Sequence, residues 1–282
     1  MEEYAEVLNR LAQDLYTQGK ISSLYANLPF EERLIAIYQE SGKVHSQYFN
    51  TSLPPDGFTE DTPYWAGQNL FQTLRHPRLL DAIESIIGSE ICATPILHVR
   101  IKPPENLTPR DDRGHIQLDK TPIHQDNAGI LPEADATDML TVWFPMNYTD
   151  MKNGCLCVWP GSHHLGLLPH CIDRGRPRIP TEFLKEIGKA VPVPVKQGGV
   201  LLMNKCTVHA SYANRSEKIR WSFDLRYTPT HQPKVRDFFP DFIARSRLHP
   251  ETELKDPIQW DLQWQETRQK LAKTGTPQFH RW

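Results

Sequence analysis

At 282 residues with 39% hydrophobic content, the chain can bury a substantial core as one large domain or two small ones. A net charge of −2, with acids and bases mixed along the sequence, leaves no basic footprint for nucleic acid and no charge block of the kind that forms a disordered tail. Five cysteines (Cys92, Cys155, Cys157, Cys171, Cys206) with no CxxC pair suit a reducing compartment. No window approaches the roughly 18 apolar residues of a membrane span, and the start is acidic rather than signal-like. The C-terminal "FHRW" is no peroxisomal address of the Ser-Lys-Leu kind. The expectation is a soluble cytoplasmic protein, monomer or homodimer, acting on a small molecule.

The first ninety-odd residues are helical by pattern. Tyr4, Val7, Leu8, Leu11 and Leu15 keep one apolar face, with Gly19 as C-cap. A second helix is expected from near Pro29. A third has Pro77 at its first position, ahead of Leu79, Leu80, Ile83, Ile86 and Ile87, and Gly88 closes it. From Ile96 onward the texture changes to short runs of β-branched and aromatic residues between Pro, Gly, Asn and Asp clusters: "ILHVRI", "MLTVWFPM", "CLCVW", "GVLLMN" and "IRWSFDLRYT". A helical tail over residues 257–273, with Trp260, Leu262, Trp264 and Leu271, follows. The pattern predicts an α+β chain with a mainly β core: helices to about residue 95, a β core over about 96–230, and a helical tail over about 231–282 of a single domain.

The short stretch "TPIHQDN" raises the question of chemistry. With 12 histidines and 34 acids in 282 positions, one or two His-x-acid triplets are expected by chance, and the chain has two, His124-Gln125-Asp126 and His249-Pro250-Glu251. Spacing separates them. On extended backbone His124 and Asp126 share a face, and His209 stands after the apolar run "GVLLMN", where a strand end would offer a third ligand. Two imidazoles and one carboxylate are the facial set that leaves positions open on Fe(II), whereas structural zinc wants four filled sites. Eleven residues after His209, Arg220 lies on the last predicted strand, where its planar fork could clamp a carboxylate.

These residues resemble the phytanoyl-CoA dioxygenase family of Fe(II)- and 2-oxoglutarate-dependent oxygenases. The resemblance is carried by "KPP" at 102–104, "HQD" at 124–126, "NGCLCVWPGSHH" at 153–164, "HASYANRSEKIRWSFDLRYTP" at 209–229 and "FPDFIARSR" at 239–247. It implies a double-stranded β-helix, or jelly roll, with N-terminal helices packed outside. It also implies that His124, Asp126 and His209 are iron ligands and that Arg220, with Ser211, holds the distal carboxylate of 2-oxoglutarate. Trp143 would line the co-substrate pocket, and His98, where an apolar residue is expected, would contact 2-oxoglutarate. The implied cofactors are Fe(II), 2-oxoglutarate and O2, with ascorbate as accessory reductant. The implied outcome is hydroxylation of an unactivated C–H bond of a small metabolite, with succinate and CO2 released. Desaturation, epoxidation or ring formation on the same scaffold, or a non-oxidative metal-dependent hydrolase or isomerase, is the alternative. The carboxylate of Asp126 speaks against a halogenase.

Other polar residues read blandly. His163 and His164 fit turn hydrogen bonds, with Gly154 and Gly161 supplying unusual backbone angles in the same segment. Cys155 and Cys157 fit core positions, and Lys102 fits a strand-end side chain reaching for water. Arg226 could face the pocket or pair with a buried acid. Arg174, Arg176 and Arg178 could meet the phosphates of a CoA thioester, although a basic loop is usually a solvated surface. The irregular stretches 111–121 and 165–180 have the length of lids.

Overall fold

The computed structural model describes residues 2–54, 57–173, 175–185, 187–275 and 281. Four helices come first: α1 (Glu2–Thr17), α2 (Phe30–Ser41), α3 (Gln68–Leu74) and α4 (Pro77–Ile87). Their ends follow the expected chemistry. Pro77 occupies the first turn of α4, Gly42 caps α2 in the left-handed region, and Gly88 takes a positive φ beyond α4. The apolar face of α1 (Tyr4, Val7, Leu8, Leu11, Leu15) is fully buried, each side chain contributing about 1.5–3 kcal/mol of transfer free energy.

Eleven strands follow: β1 (Ile91–Ala93), β2 (His98–Lys102), β3 (Leu140–Pro145), β4 (Leu156–Val158), β5 (Cys171–Asp173), β6 (Arg176–Arg178), β7 (Val191–Val193), β8 (Leu201–Asn204), β9 (His209–Ser211), β10 (Arg220–Pro229) and β11 (Phe242–Arg245). The chain then enters α5 (Pro257–Thr274), whose N-cap Asp256 accepts from the Ile258 amide. All strand pairs are antiparallel. The larger sheet runs β11-β1-β10-β3-β8 with β2 alongside β1 on the same edge of β10, the smaller runs β7-β4-β9, and β5 and β6 form a hairpin. The two sheets face each other across Trp143, Leu156, Val195 and Met203, which gives the jelly roll with helices outside. The larger sheet takes in β1 and β11, which lie outside the 96–230 stretch where strands were expected.

The strand that organises this arrangement is β10, and every residue in it is buried. Its odd positions (Trp221, Phe223, Leu225, Tyr227) join the core shared with α1 and α2, where the Trp221 ring stacks on Phe30 at 5.4 Å and meets Tyr4 edge-on at 5.0 Å. Its even positions (Arg220, Ser222, Asp224, Arg226) point into the barrel. Lys102, Arg100 and His98 of β2 pair with Arg220, Ser222 and Asp224, while Trp143 and Thr141 of β3 pair with Asp224 and Arg226. Register alone therefore lines up one polar, inward-facing row across three strands.

Candidate active site

His124 and His209 form an isolated antiparallel bridge, each amide donating to the other's carbonyl at 3.0 Å. Such a pair puts both side chains on one face, and the two imidazole centroids lie 4.3 Å apart. Gln125 is extended, but Asp126 opens a short 3-10 turn (Asp126–Gly129), so the expectation of a strand carrying both ligands holds only as far as Gln125. Its carboxylate still turns back to the histidines: Oδ1 lies 3.6 Å from His124 Nε2 and 3.9 Å from His209 Nε2. The three ligand atoms lie within 4.8 Å of one another, the one such cluster of at least three His, Cys, Asp or Glu among the described residues.

The neighbours of these groups fix their chemistry. His124 Nδ1 meets the Pro122 carbonyl at 2.8 Å and His209 Nδ1 meets that of Thr207 at 3.0 Å. A carbonyl only accepts, so Nδ1 carries the hydrogen and Nε2 keeps a lone pair toward the common point. Burial, then His124, pushes His209 down to about 4, which keeps the ring neutral. Asp126 is buried, which alone would raise its pKa. Arg226 Nη2 at 2.7 Å from Oδ1 and the two histidines overcome this and hold the carboxyl well below the usual range. Thr141 Oγ1 donates to Oδ2. Arg226, ambiguous in the sequence, thus anchors the ligand carboxylate, and Asp224 accepts from the same Nη2 at 3.1 Å.

The residue between the ligands is structural. Gln125 is buried; its Nε2 donates to the carbonyls of Gly166 and Cys206, each at 2.7 Å, and its Oε1 accepts from the Leu168 amide at 2.8 Å. Its backbone amide donates to His170 Nε2 at 3.1 Å. Segment 153–164 serves in the same way. A Cβ on Gly154 (φ 88°) would meet the Tyr212 carbonyl at 2.8 Å, so glycine lets this turn pack against the strand carrying His209. His163 and His164 sit in an exposed 3-10 turn, and Cys155 and Cys157 are buried with thiols pushed up by burial.

On one side of the ligands is a narrow cleft bordered by Trp143, Leu156, Met203, His209, Arg220 and Asp224. Arg220 is fully buried; its Nη1 donates to Ser222 Oγ, its guanidinium lies 5.9 Å from the Trp143 ring centroid, and Nε and Nη2 have no hydrogen-bond partner among the described residues. Lys102, its cross-strand neighbour, does not reach water: it is 1% exposed, and Nζ donates to Ser211 Oγ at 2.8 Å. Ser211 Oγ also accepts from the Thr121 amide at 2.8 Å. Burial, then Arg220 and Arg100, pushes Lys102 well below its ordinary value, and burial, then Arg100, takes Arg220 down to about 9. A buried guanidinium and a buried amine that can take up a proton, their donors meeting only hydroxyls, form a strong anion site.

On the other side is a wider cavity of about 290 Å³ that shares His124 and Asp126. His98 lies here with Arg100, Arg226 and Arg236, and does not border the Arg220–Trp143 cleft where it was expected. Position 98 pairs with Asp224, two pleats along from Arg220, and its ring lines the cavity that holds His124 and Asp126. Burial, then Arg100, Arg226 and Arg236, drives its pKa well down, so it is a neutral ring. Of the three candidate phosphate-binding arginines, Arg178 pairs with Asp173 at 3.3 Å across the β5–β6 hairpin, Arg176 borders the cavity, and Arg174 lies outside the described residues. His249 and Glu251 are exposed, 3.4 Å apart and far along the chain from these groups.

Residues 53–222, more than half of the chain, match the sequence model of the phytanoyl-CoA dioxygenase (PhyH) family. Among curated proteins, a probable phytanoyl-CoA dioxygenase of Caenorhabditis elegans is 27% identical over 56% of this chain and 50% of its own length. The peroxisomal phytanoyl-CoA dioxygenase of Bos taurus is 27% identical over 67% of this chain and 58% of its own. The chain thus spans about half the length of these relatives. The solved apo structure of the non-heme monooxygenase ThoJ is 17% identical with a TM-score of 0.53, covering 95% of this chain and 90% of that one; the likeness is one of fold. No described helix is long and apolar enough to cross a membrane.

Proposed function

The chain belongs to the phytanoyl-CoA dioxygenase family, and from that premise we propose that it is an iron(II)- and 2-oxoglutarate-dependent oxygenase that hydroxylates an unactivated C–H bond of a small metabolite or biosynthetic intermediate. The observation that carries the reading is the conjunction of a two-histidine, one-carboxylate cluster with a buried cationic cleft beside it. The donor set fits iron(II): both Nε2 atoms are unprotonated, the carboxylate is ionised, and three ligands leave positions open. The Nε and Nη2 hydrogens of Arg220, without partners, suit the two oxygens of a carboxylate.

His124, Asp126 and His209 would hold the iron, and Arg220, Ser211 and Lys102 the distal carboxylate of 2-oxoglutarate, with Trp143 as a wall. Bound together, iron(II), 2-oxoglutarate and O2 supply oxidative decarboxylation to succinate and CO2 coupled to oxygen insertion into a C–H bond. The remaining work belongs to the chain. Arg226 and Thr141 donate to the two oxygens of Asp126, which keeps it ionised and would hold it in place for the metal. Ser222 orients Arg220, Lys102 can take up a proton when an anion arrives, and Trp143, Leu156 and Met203 exclude water.

The test is turnover of 2-oxoglutarate in the purified protein under O2. Succinate and CO2 should form only with added Fe(II) and should be lost in Asp126→Ala. A hydrolase or isomerase using the same ligands would leave 2-oxoglutarate untouched, and that result would overturn the reading.

A further inference from the structure

Lys102 and Arg220 stand directly opposite each other on β2 and β10. Opposed residues share a face with Cβ atoms roughly 4.5–5.5 Å apart, so the amine and the guanidinium enter one space. The amine is 1% exposed, and its one hydrogen bond among the described residues runs from Nζ to Ser211 Oγ. Arg220 is fully buried, gives Nη1 to Ser222 Oγ, and leaves Nε and Nη2 without a partner among the described residues. The charges that act on the amine are mainly cationic, Arg220, Arg100 and Arg176, with Asp119 opposing them. An amine taken out of water among guanidiniums is held neutral, so its lone pair is available to an electrophile. A nucleophilic nitrogen thus faces a buried guanidinium edge with two unengaged donors.

We propose that Lys102 is a carbamylation site: before 2-oxoglutarate binds, its Nζ adds CO2, and the carbamate formed lies against the Nε and Nη2 donors of Arg220. The Nζ lone pair forms a bond to the carbon of CO2. One C–O π bond opens to place the negative charge on oxygen, and one proton passes from nitrogen to the buffer, so no oxidant or further reactant is needed. The two coplanar oxygens of a carbamate suit a guanidinium edge as those of a carboxylate do, and the new anion offsets the charge of the buried arginine. The proposal rests on the oxygenase reading, because the place it gives the carbamate is the one taken there by the distal carboxylate of 2-oxoglutarate. The two therefore exclude each other. CO2, which that reaction releases, holds the enzyme in a blocked form until 2-oxoglutarate displaces it and the amine regains its protons.

The experiment uses the full chain loaded with Zn(II), a diamagnetic stand-in for iron, in carbon-labelled bicarbonate. Carbon NMR looks for a carbamate resonance, and trapping with triethyloxonium followed by peptide mass spectrometry locates the label. Expected are one carbamate resonance and an ethyl carbamate on Lys102, both lost at saturating 2-oxoglutarate. The resonance should be absent in Lys102→Met. Calorimetry should show 2-oxoglutarate binding more weakly as dissolved CO2 rises in the unmutated protein, and a CO2-independent affinity in Lys102→Met. Label found only as non-covalent bicarbonate, or trapped on other lysines and not on Lys102, would overturn the proposal without recourse to any variant. So would a Lys102 carbamate that persists while 2-oxoglutarate binds with full affinity. A Lys102 carbamate in a protein that never binds 2-oxoglutarate would support the modification and mark failure of the co-substrate reading instead.

Discussion

The two spaces that meet at His124 and Asp126 are built on different terms. The narrow cleft takes its groups mainly from strands, β2, β3, β4, β8, β9 and β10; its Arg220 is held by the Ser222 hydroxyl, as the neighbouring Lys102 is by that of Ser211. The wide cavity draws on β2, β6 and β10 but also on loops, through Asn50, Leu118 and Arg236, and its guanidiniums are in part balanced by aspartates. The first is built on strands, which position side chains more rigidly than the loops that help to line the second.

Substitutions can break that contrast, the largest effect coming from Arg220. Arg220→Ala should weaken 2-oxoglutarate binding by about 10- to 150-fold, the equivalent of the roughly 1.5–3 kcal/mol of a charged hydrogen bond. Unchanged 2-oxoglutarate affinity, read by calorimetry, would show that Arg220 does not hold the co-substrate.

Arg226 belongs to both sides, touching Asp126 and bordering the wide cavity. Arg226→Gln should lower metal affinity by about 10- to 100-fold, as loss of an outer partner typically does. Competition with a coloured chelator measures it, and wild-type affinity would show that Asp126 needs no such anchor.

Lys102 sharpens the comparison through pH. Its folded pKa is depressed by burial and by Arg220, so the empty cleft favours the neutral amine, and an arriving dianion raises the pKa. Binding should therefore take up a proton between the two values, and affinity should fall as pH rises through the upper one. Calorimetry in buffers of different ionisation enthalpy reads the uptake, which Lys102→Met should abolish while raising the Tm of the ligand-free protein, because a buried, desolvated amine is replaced by an apolar chain. The smallest change is expected from Ser211→Ala, one neutral hydroxyl worth about 0.5–1.5 kcal/mol, or a two- to thirteenfold weaker grip on 2-oxoglutarate.

The same contrast marks what could be read in the sequence. The alternation "RWSFDLRYTP" makes a strand of β10 and separates its two faces, but period two does not say whether the polar face meets water or a cavity. Hence the polar row at Arg220 was legible through its distance from His209, while Arg226 stayed ambiguous and Lys102 read as reaching for solvent. Residues of the wide cavity such as Asn50, Leu118 and Arg236 come from segments with no shared spacing, so only the folded chain brings them together. His98 borders the wide cavity and not the narrow cleft, a difference that period two along β2 does not reveal. The helix caps at Pro77 and Gly88 needed no tertiary information, since their chemistry is local.

The account stands most directly on an anaerobic titration of the protein with Fe(II) followed by 2-oxoglutarate, monitored for the visible metal-to-ligand charge-transfer band of a chelated 2-oxo acid. The expected result is a band that saturates at one equivalent of each, is absent in His209→Ala and needs far more 2-oxoglutarate in Arg220→Ala. A protein that binds Fe(II) but never develops the band, at any 2-oxoglutarate concentration, would contradict it.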